Sequence, residues 1–193
     1  MPGTAERQGS RMLEWITLSV IKRTTLLFWA AWLSAVATTN VFDALRALGT
    51  LPDSFQFVSG NWHGINRVMD PLGVPRGLQV TLFAGALAWE ALGATLFWWA
   101  VASYRGRPLV QEKAVTAACG VNLGLWSAFQ VLDEVFLAYQ PEGVHRVIFV
   151  SQLATLLLLH LLPDPRRQSG TIEAHEIRAT RGPVDPAPGS PRF

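Results

Sequence analysis

The stretch that decides the fold reads LQVTLFAGALAWEALGATLFWWAV and occupies residues 78–101. Gln79 and Glu90 interrupt an otherwise apolar run. An α-helix rises about 1.5 Å per residue, so about 20 apolar residues cross the roughly 30 Å hydrocarbon core of a bilayer. This run therefore predicts a transmembrane helix.

Three further windows have a similar length and composition, at residues 24–42, 114–138 and 144–162. Apolar residues make up 50% of the chain and charged residues 16%, against about 25% charged in a typical soluble domain. We therefore predict an all-α membrane protein, a four-transmembrane-helix bundle. Residues 24–163 would form the membrane domain, 1–23 a partly amphipathic cytoplasmic segment, and 164–193, with their prolines, a disordered cytoplasmic tail.

The distribution of lysine and arginine predicts the orientation, because cytoplasmic loops retain positive charge. Twelve of the sixteen basic residues precede the first window, separate the second from the third, or follow the fourth. The two opposite connections contain the other four, namely Arg46, Arg67, Arg76 and Arg146. We expect both termini in the cytoplasm.

One alternative for the N-terminal region is a secretory signal peptide, because a basic segment, an apolar run and Ala35-Val36-Ala37 imitate one. Such a leader would be unusually long, so we expect this region to remain attached. Residues 12–21 either extend the first helix or lie along the membrane surface.

The chain contains none of the common sequence motifs of catalytic, nucleotide-binding or metal-binding sites. Cys-x-x-Cys, phosphate-loop, Gly-x-Ser-x-Gly and His-Glu-x-x-His patterns do not occur. The lone Cys119 is expected to be a packing residue of the third span. The net charge of +2 follows from the positive-inside bias and does not indicate a nucleic-acid partner.

The outer loop of residues 44–77 is expected to contain a short interfacial helix. Trp62, Ile65, Val68 and Met69 recur at helical spacing, and Ser59 or Asn61 is suited to cap its start.

Polar residues within the spans are the main candidates for function, since a charge at mid-bilayer costs at least about 2.5 kcal/mol. We predict that they form one cluster in the outer half of the bundle, with Glu90 at the boundary of an apolar inner half. Arg146 or His145 would pair with one carboxylate. The cluster consists of Asn40, Asp43, Glu90, Asn122, Gln130, Asp133, Glu134, Arg146 and Gln152.

Small residues beside these polar groups predict close helix packing. Ala86, Gly93 and Ala94 share a helical face with Glu90, and Gly120 and Gly124 form a Gly-x-x-x-Gly pair. Two histidines, His63 and His160, are weak ligand candidates. The spacing of residues around them predicts no metal site.

Several short motifs across residues 12–164 resemble a bacterial family described as predicted small integral membrane proteins, a domain of unknown function. Extra residues at both ends and the segment Trp62-His63-Gly64 depart from the family pattern. The resemblance implies four transmembrane helices and a bacterial inner membrane, and it marks Glu90 and Glu134 without supplying chemistry. The motifs are Asn40-Val41-Phe42-Asp43, Phe55-Gln56-Phe57-Val58, Met69-Asp70, Ala88-Trp89-Glu90-Ala91-Leu92, Lys113-Ala114, Gly120 through Trp126, Glu134-Val135-Phe136 and Leu162-Pro163-Asp164.

Three functions are compatible with these features. The first is an accessory subunit that packs in the lipid bilayer against partner membrane proteins or a second copy of itself. The second is a small transporter or proton-coupled exporter that uses Glu90 and the stripe from Gln130 to Glu134. The third is a quinone-, pigment- or metal-binding subunit of a redox complex. The sequence contains no catalytic set that would make the chain an enzyme, and it identifies no cofactor.

Overall fold

The computed structural model describes the backbone of residues 4–104 and 108–162, and the side chains of residues 18–104 and 111–162. The predicted disordered tail, 164–193, lies outside the described residues. A single turn of 3₁₀-helix, Asp70–Leu72, follows the second helix. The helices are α1 (Thr4–Ala47), α2 (Asn61–Met69), α3 (Arg76–Ser103), α4 (Pro108–Val135) and α5 (Tyr139–Leu161).

Four of the described helices, α1, α3, α4 and α5, are long and apolar enough to cross a membrane. The prediction of a four-helix bundle is confirmed. An α-helix pairs its own backbone N–H and C=O groups, whereas the hydrocarbon of a bilayer offers them no hydrogen-bond partners. Hydroxyl groups within the spans follow the same rule, because Thr25, Ser34 and Ser127 donate to carbonyls four residues earlier in their own helices.

Successive spans pack side by side in sequence order, α1 on α3, α3 on α4 and α4 on α5. Contacts between α5 and α1 are sparser, and they include two long-range hydrogen bonds. Trp29 Nε1 donates to Thr155 Oγ1 at 2.9 Å, and Lys22 Nζ donates to the carbonyl of Leu162 at 2.7 Å. The second bond satisfies a carbonyl at the C-terminus of α5, where a cation is also favoured by the helix dipole.

The interior has two chemically different halves. We call the half near Lys22 and Leu162 the terminal end, and the half near α2 the α2 end. The terminal end is filled by apolar side chains that include Leu26, Phe97 and Ala118, all fully buried. Along α1 the buried stripe continues through Leu33 to Asn40 and Asp43 at the α2 end. One helical face therefore changes from apolar to polar along its length.

Helix boundaries differ from the predicted windows by several residues, and three of the differences concern the N-terminal segment and the turn between α4 and α5. Helix α1 continues without a break through residue 23, so residues 12–21 extend the first helix instead of forming a separate segment. Helix α4 ends at Val135 because Leu137 adopts a left-handed conformation, with φ of 54°. Helix α5 already begins at Tyr139, because Pro141 falls in its first turn, where proline needs no hydrogen-bond partner.

The predicted interfacial helix corresponds to α2, and its N-terminus is capped both from within the loop and by a residue of α1. The residue before it, Gly60, has a φ of 76°, a conformation that favours glycine. Ser59 Oγ accepts a hydrogen bond from the backbone N–H of Asn61 at 3.2 Å. The N–H of Trp62 donates to Asp43 Oδ2 at 2.8 Å, so a carboxylate of α1 caps α2.

Candidate functional site in the bundle interior

Each of the four long helices places at least one amide or carboxyl side chain in the bundle interior. Four of these side chains, one from each helix, are Asn40 of α1, Glu90 of α3, Asn122 of α4 and Gln152 of α5, and none is more than 3% exposed. Glu90, Asn122 and Gln152 lie near the middle of their helices. We call these four residues the polar layer. Burying such groups in a membrane protein is costly unless they are paired, so their arrangement is informative.

A line of hydrogen bonds connects Glu90 with helix α2. Asn40 Nδ2 donates to Glu90 Oε2 at 2.6 Å, and Asn40 Oδ1 accepts from Asn61 Nδ2 at 2.8 Å. Asn61 belongs to α2 and is exposed. The carboxyl group at the centre of the bundle is therefore joined through two amides to the surface at the α2 end. Asn40 is the partner of Glu90 within the described residues, and it supplies no charge.

A second set of contacts holds α2 over this line. Asp43 Oδ2 accepts from Ser59 Oγ at 3.1 Å in addition to the Trp62 amide, and the N–H of Ser59 donates to the Thr39 carbonyl at 3.2 Å. The indole of Trp62 packs on Phe83 of α3, with ring centroids 5.5 Å apart. The guanidinium carbon of Arg76 lies 4.2 Å from the centroid of the same indole. Helix α2 is thus fixed to both α1 and α3.

The contact between α3 and α4 depends on Gly93. A Cβ atom at this position would lie 2.6 Å from Asn122 Oδ1 and 2.7 Å from Nδ2. The amide of Asn122 therefore occupies the space that glycine leaves, and its Nδ2 donates to the Ala118 carbonyl of its own helix at 2.9 Å. Gly93 lies three residues after Glu90, on the same face of α3. The Asn122 amide therefore lies about one helical turn from Glu90 along the bundle.

An acid–histidine pair joins α4 to α5 at the α2 end. His145 Nδ1 and Asp133 Oδ2 are 2.6 Å apart. The imidazole stacks on Phe129 with ring centroids 4.8 Å apart, and it also contacts Trp126. Of the two predicted partners for a buried carboxylate, His145 is therefore the one that forms the pair. Arg146 is exposed and pairs with Glu142 on its own helix.

Among the side chains that the structure describes, four buried polar atoms have no hydrogen-bond partner. They are Asn122 Oδ1, Trp126 Nε1, and both the nitrogen and the oxygen of the Gln152 amide. Asn122 and Trp126 are four residues apart and share a face of α4. Such orphaned groups are uncommon in native interiors, and each calls for a physical reason.

Several predicted members of the polar cluster do not lie in the interior. Glu134 is exposed, because the neighbouring Asp133 takes the inward position on the last turn of α4. Arg146 is exposed as well, one residue beyond the inward-facing His145. Gln130 is half-buried, and its Nε2 donates to the Trp126 carbonyl of its own helix at 3.1 Å. The stripe predicted from Gln130 to Glu134 is therefore not part of the polar layer.

Only some of the small residues that predict close helix packing lie in contacts between helices of this chain. Gly93 and Ala94 are buried, and Ala86 is half-buried, in the α3 face that contains Glu90. Gly124 receives the ring of Trp89, which would lie 3.3 Å from a Cβ there. Gly120 is exposed and surrounded by open space, so the predicted Gly-x-x-x-Gly pair is not a packing interface inside this bundle.

The histidines considered as ligands both lie outside the interior. His63 is exposed on α2, and His160 is exposed near the end of α5, where its Nδ1 lies 2.9 Å from the Leu156 carbonyl. Within the described side chains, no group of three or more histidine, cysteine or acidic residues is arranged to hold a metal ion. A bound quinone or pigment stays a prediction.

Sequence reasoning missed two polar residues at the α2 end. The sequence predicts Ser59 or Asn61 as a cap for α2, whereas the side chain of Asn61 donates to Asn40 Oδ1 in α1. Gln79 is 1% exposed, and its Nε2 donates to Asp70 Oδ1 at 2.8 Å and to the Val74 carbonyl at 3.0 Å. The sequence does indicate that Gln79 is unusual, because it is one of the two polar interruptions in the second apolar window.

The fold and this interior define a multi-pass helical membrane protein with a polar layer at the centre of its bundle. Comparison of the chain with protein-family models, with curated proteins and with solved structures found no match. Function must therefore be inferred from the site.

Proposed function

We propose that this protein is a small proton-coupled membrane transporter in which Glu90 is the proton-binding group. The observation that carries the proposal is the line from Glu90 through Asn40 to the exposed Asn61. A carboxyl group in the middle of a span is expensive to retain, and such residues commonly mark proton or ion pathways. Glu90 has an amide partner in place of a cation, so gain or loss of a proton breaks no ion pair.

Asn40 is suited to follow a change in the protonation of Glu90. The ionised carboxylate accepts from Asn40 Nδ2, whereas the protonated acid also has an O–H that can donate to an amide oxygen. Turning over the Asn40 amide would then present Nδ2 to Asn61, whose side-chain oxygen can accept. The hydrogen bond between Asn61 of α2 and Asn40 of α1 is in this way coupled to the protonation state of Glu90.

The two ends of the bundle support one-sided access. Polar side chains lie between Glu90 and the α2 end, while Leu26, Leu33 and Phe97 fill the terminal end. A protein that alternates access binds its ion from one side while the other side is closed. We propose that Glu90 is reached from the α2 end, with α2 as a lid that the structure holds in place over Asn40 and Glu90.

The lysine and arginine distribution supports a cytoplasmic terminal end and therefore proton uptake from the outer side. We extend the proposal to a bacterial inner membrane, as the resemblance to predicted small integral membrane proteins implies.

Proton flux into liposomes tests the proposal. The purified protein is reconstituted with a pH-sensitive dye inside the vesicles, and the outside is acidified in the presence of valinomycin and potassium. We expect internal acidification to be several-fold faster than in protein-free vesicles, and Glu90→Gln to return it to the protein-free rate. Glutamine keeps the shape of the side chain and an oxygen that can accept from Asn40.

Glu134→Gln is the matched control, because it makes the same substitution in an exposed carboxylate at the α2 end. This variant should retain the flux of the original protein. Equal flux in the Glu90→Gln variant and the original protein, with both folded by size-exclusion chromatography, would overturn the role of Glu90.

A second candidate function is an accessory subunit, and the exposure of α5 favours it. This helix is the least buried of the four spans and contacts α1 only sparsely. Its outer face exposes Val144, Val147, Val150 and Leu161, which either lipid or a partner helix can cover. Purification in mild detergent separates the two candidates: a stoichiometric companion chain supports the subunit, and a monomer that conducts protons supports the transporter.

A further inference from the structure

The four orphaned polar atoms belong to residues of α4 and α5, and the register of these two helices brings two of the residues, Trp126 and Gln152, to one level. Asp133 and His145 are in contact, and they fix the register of this antiparallel pair. Trp126 lies seven residues before Asp133, and Gln152 lies seven residues after His145. Seven residues are about two helical turns. Trp126 therefore lies on the face of α4 that contains Asp133, Gln152 lies on the face of α5 that contains His145, and the two residues are at the same level of the bundle.

The surroundings of this position are aromatic on the side of α1. Trp32 contacts Trp126 with ring centroids 6.0 Å apart. Trp29 donates to Thr155, which lies three residues after Gln152 on the same face of α5. The hydrogen-bonding capacity of Trp29 is thus already used, whereas that of Trp126 is not.

The orphaned atoms are two donors and two acceptors. Trp126 Nε1 and Gln152 Nε2 donate, and Gln152 Oε1 and Asn122 Oδ1 accept. A water molecule accepts two hydrogen bonds and donates two, so its capacity matches this set, and buried waters characteristically join groups that would otherwise be unpaired. A metal ion would need only acceptors, and an anion only donors.

We propose that this position is a hydration site, at which water is held between Gln152, Trp126 and Asn122. The amide of Asn122 lies in the notch at Gly93, one turn from Glu90, so the bound water extends the polar interior from Glu90 toward α5. The hydration site stands on the orphaned atoms alone. Its place on a proton route rests on the function proposed above.

Radiolytic hydroxyl labelling tests the site directly, because side chains beside bound water are oxidised even where bulk solvent does not reach them. The protein is irradiated in nanodiscs in ¹⁸O-enriched water, and modified residues are located by mass spectrometry. Trp126 is 3% exposed and Phe97 is fully buried in the apolar terminal end. We expect labelling of Trp126 to be several-fold above that of Phe97, after correction for the intrinsic reactivity of each side chain.

Gln152→Leu removes two of the four polar atoms, and it should cause a several-fold loss of label at Trp126 with no change at Phe97. Label at Trp126 no higher than at Phe97 in the original protein would overturn the hydration site, whether or not the variant folds. A Gln152→Leu variant that keeps the full Trp126 label would overturn it as well.

Failure of this inference is distinguishable from failure of the transport proposal. Flux that depends on Glu90 together with an unlabelled Trp126 removes the hydration site and leaves the transporter. A labelled Trp126 in a protein without proton flux leaves the hydration site and removes the transporter.

Discussion

Gly93 shows how a single residue sets the spacing of two membrane helices. Between transmembrane helices there is little hydrophobic driving force, since lipid tails are as apolar as the side chains, and close packing contributes much of the association. The buried Asn122 amide fits against α3 only because residue 93 has no side chain. Glu90 one turn away depends on the same approach of α4 for its exclusion from lipid.

Gly93→Ala is expected to lower the free energy of unfolding by about 1–3 kcal/mol, the usual range for overpacking a well-packed interior. The new methyl group displaces the Asn122 amide and breaks its hydrogen bond to Ala118. Thermal unfolding in detergent measures the effect. Gly120→Ala is the control, because that position is open, and it should be neutral or stabilising by up to about 1 kcal/mol. Equal stability of the two variants would contradict the role of Gly93.

At the scale of whole elements, the helix ends are the places where the structure differs from the windows that hydropathy predicts. The turn between α4 and α5 is a Schellman motif, in which the N–H of Ala138 donates to the Asp133 carbonyl and that of Leu137 to the Glu134 carbonyl. The motif places Leu137 in the left-handed region, where glycine is usual. This compact turn brings His145 back alongside Asp133.

Leu137→Gly is expected to be more stable than Leu137→Ala by about 1 kcal/mol, because only glycine adopts the left-handed conformation without a steric cost. Both substitutions remove the same exposed leucine side chain, so their difference isolates the backbone term. Chemical or thermal unfolding of the two variants measures it. An alanine variant as stable as the glycine variant would show that the turn is not strained.

Asp43→Ala is expected to release α2 from the bundle, because the carboxylate accepts from both Ser59 and Trp62. Hydrogen bonds to a charged group contribute about 1.5–3 kcal/mol each. Hydrogen exchange over residues 61–69 should become several-fold faster, with little change in α4. Asp53→Ala, at an exposed position in the same loop, serves as the control. Unchanged exchange in α2 would remove Asp43 as its anchor.

At the scale of the whole molecule, the bundle combines a sealed half with a polar half. The apolar cluster fills the terminal end, while Asp43, Asn40 and Gln79 make the α2 end polar. Under the proposed function, this asymmetry makes the orientation in the membrane important, because it decides from which compartment Glu90 is reached.

Cysteine accessibility in intact cells checks the orientation proposed from the basic residues. In a Cys119→Ala background, a cysteine introduced by Asp53→Cys should react with a membrane-impermeant maleimide, and one introduced by Ser169→Cys should react only after the cells are opened. The expectation follows from the preference of cytoplasmic segments for lysine and arginine. The reverse pattern would place α2 in the cytoplasm and reverse the proposed direction of proton uptake.

The sequence by itself determined the number of spans and the presence of α2. Runs of about 20 apolar residues are measured against a fixed bilayer thickness, so a one-dimensional property suffices. The sequence also indicated that Glu90 lies at mid-span beside small residues, since helical spacing places Gly93 and Ala94 on its face.

Only the tertiary structure decided which polar groups meet. Asp133 and Glu134 are adjacent in sequence, yet only Asp133 faces the interior and reaches His145. The bond between Asn40 and Asn61 joins two helices through a loop whose path the sequence does not reveal. The physical reason lies in the solvent: a soluble helix shows its inner face by its apolar residues, whereas a helix surrounded by lipid is apolar both inside and outside, so its pattern leaves the inner face ambiguous.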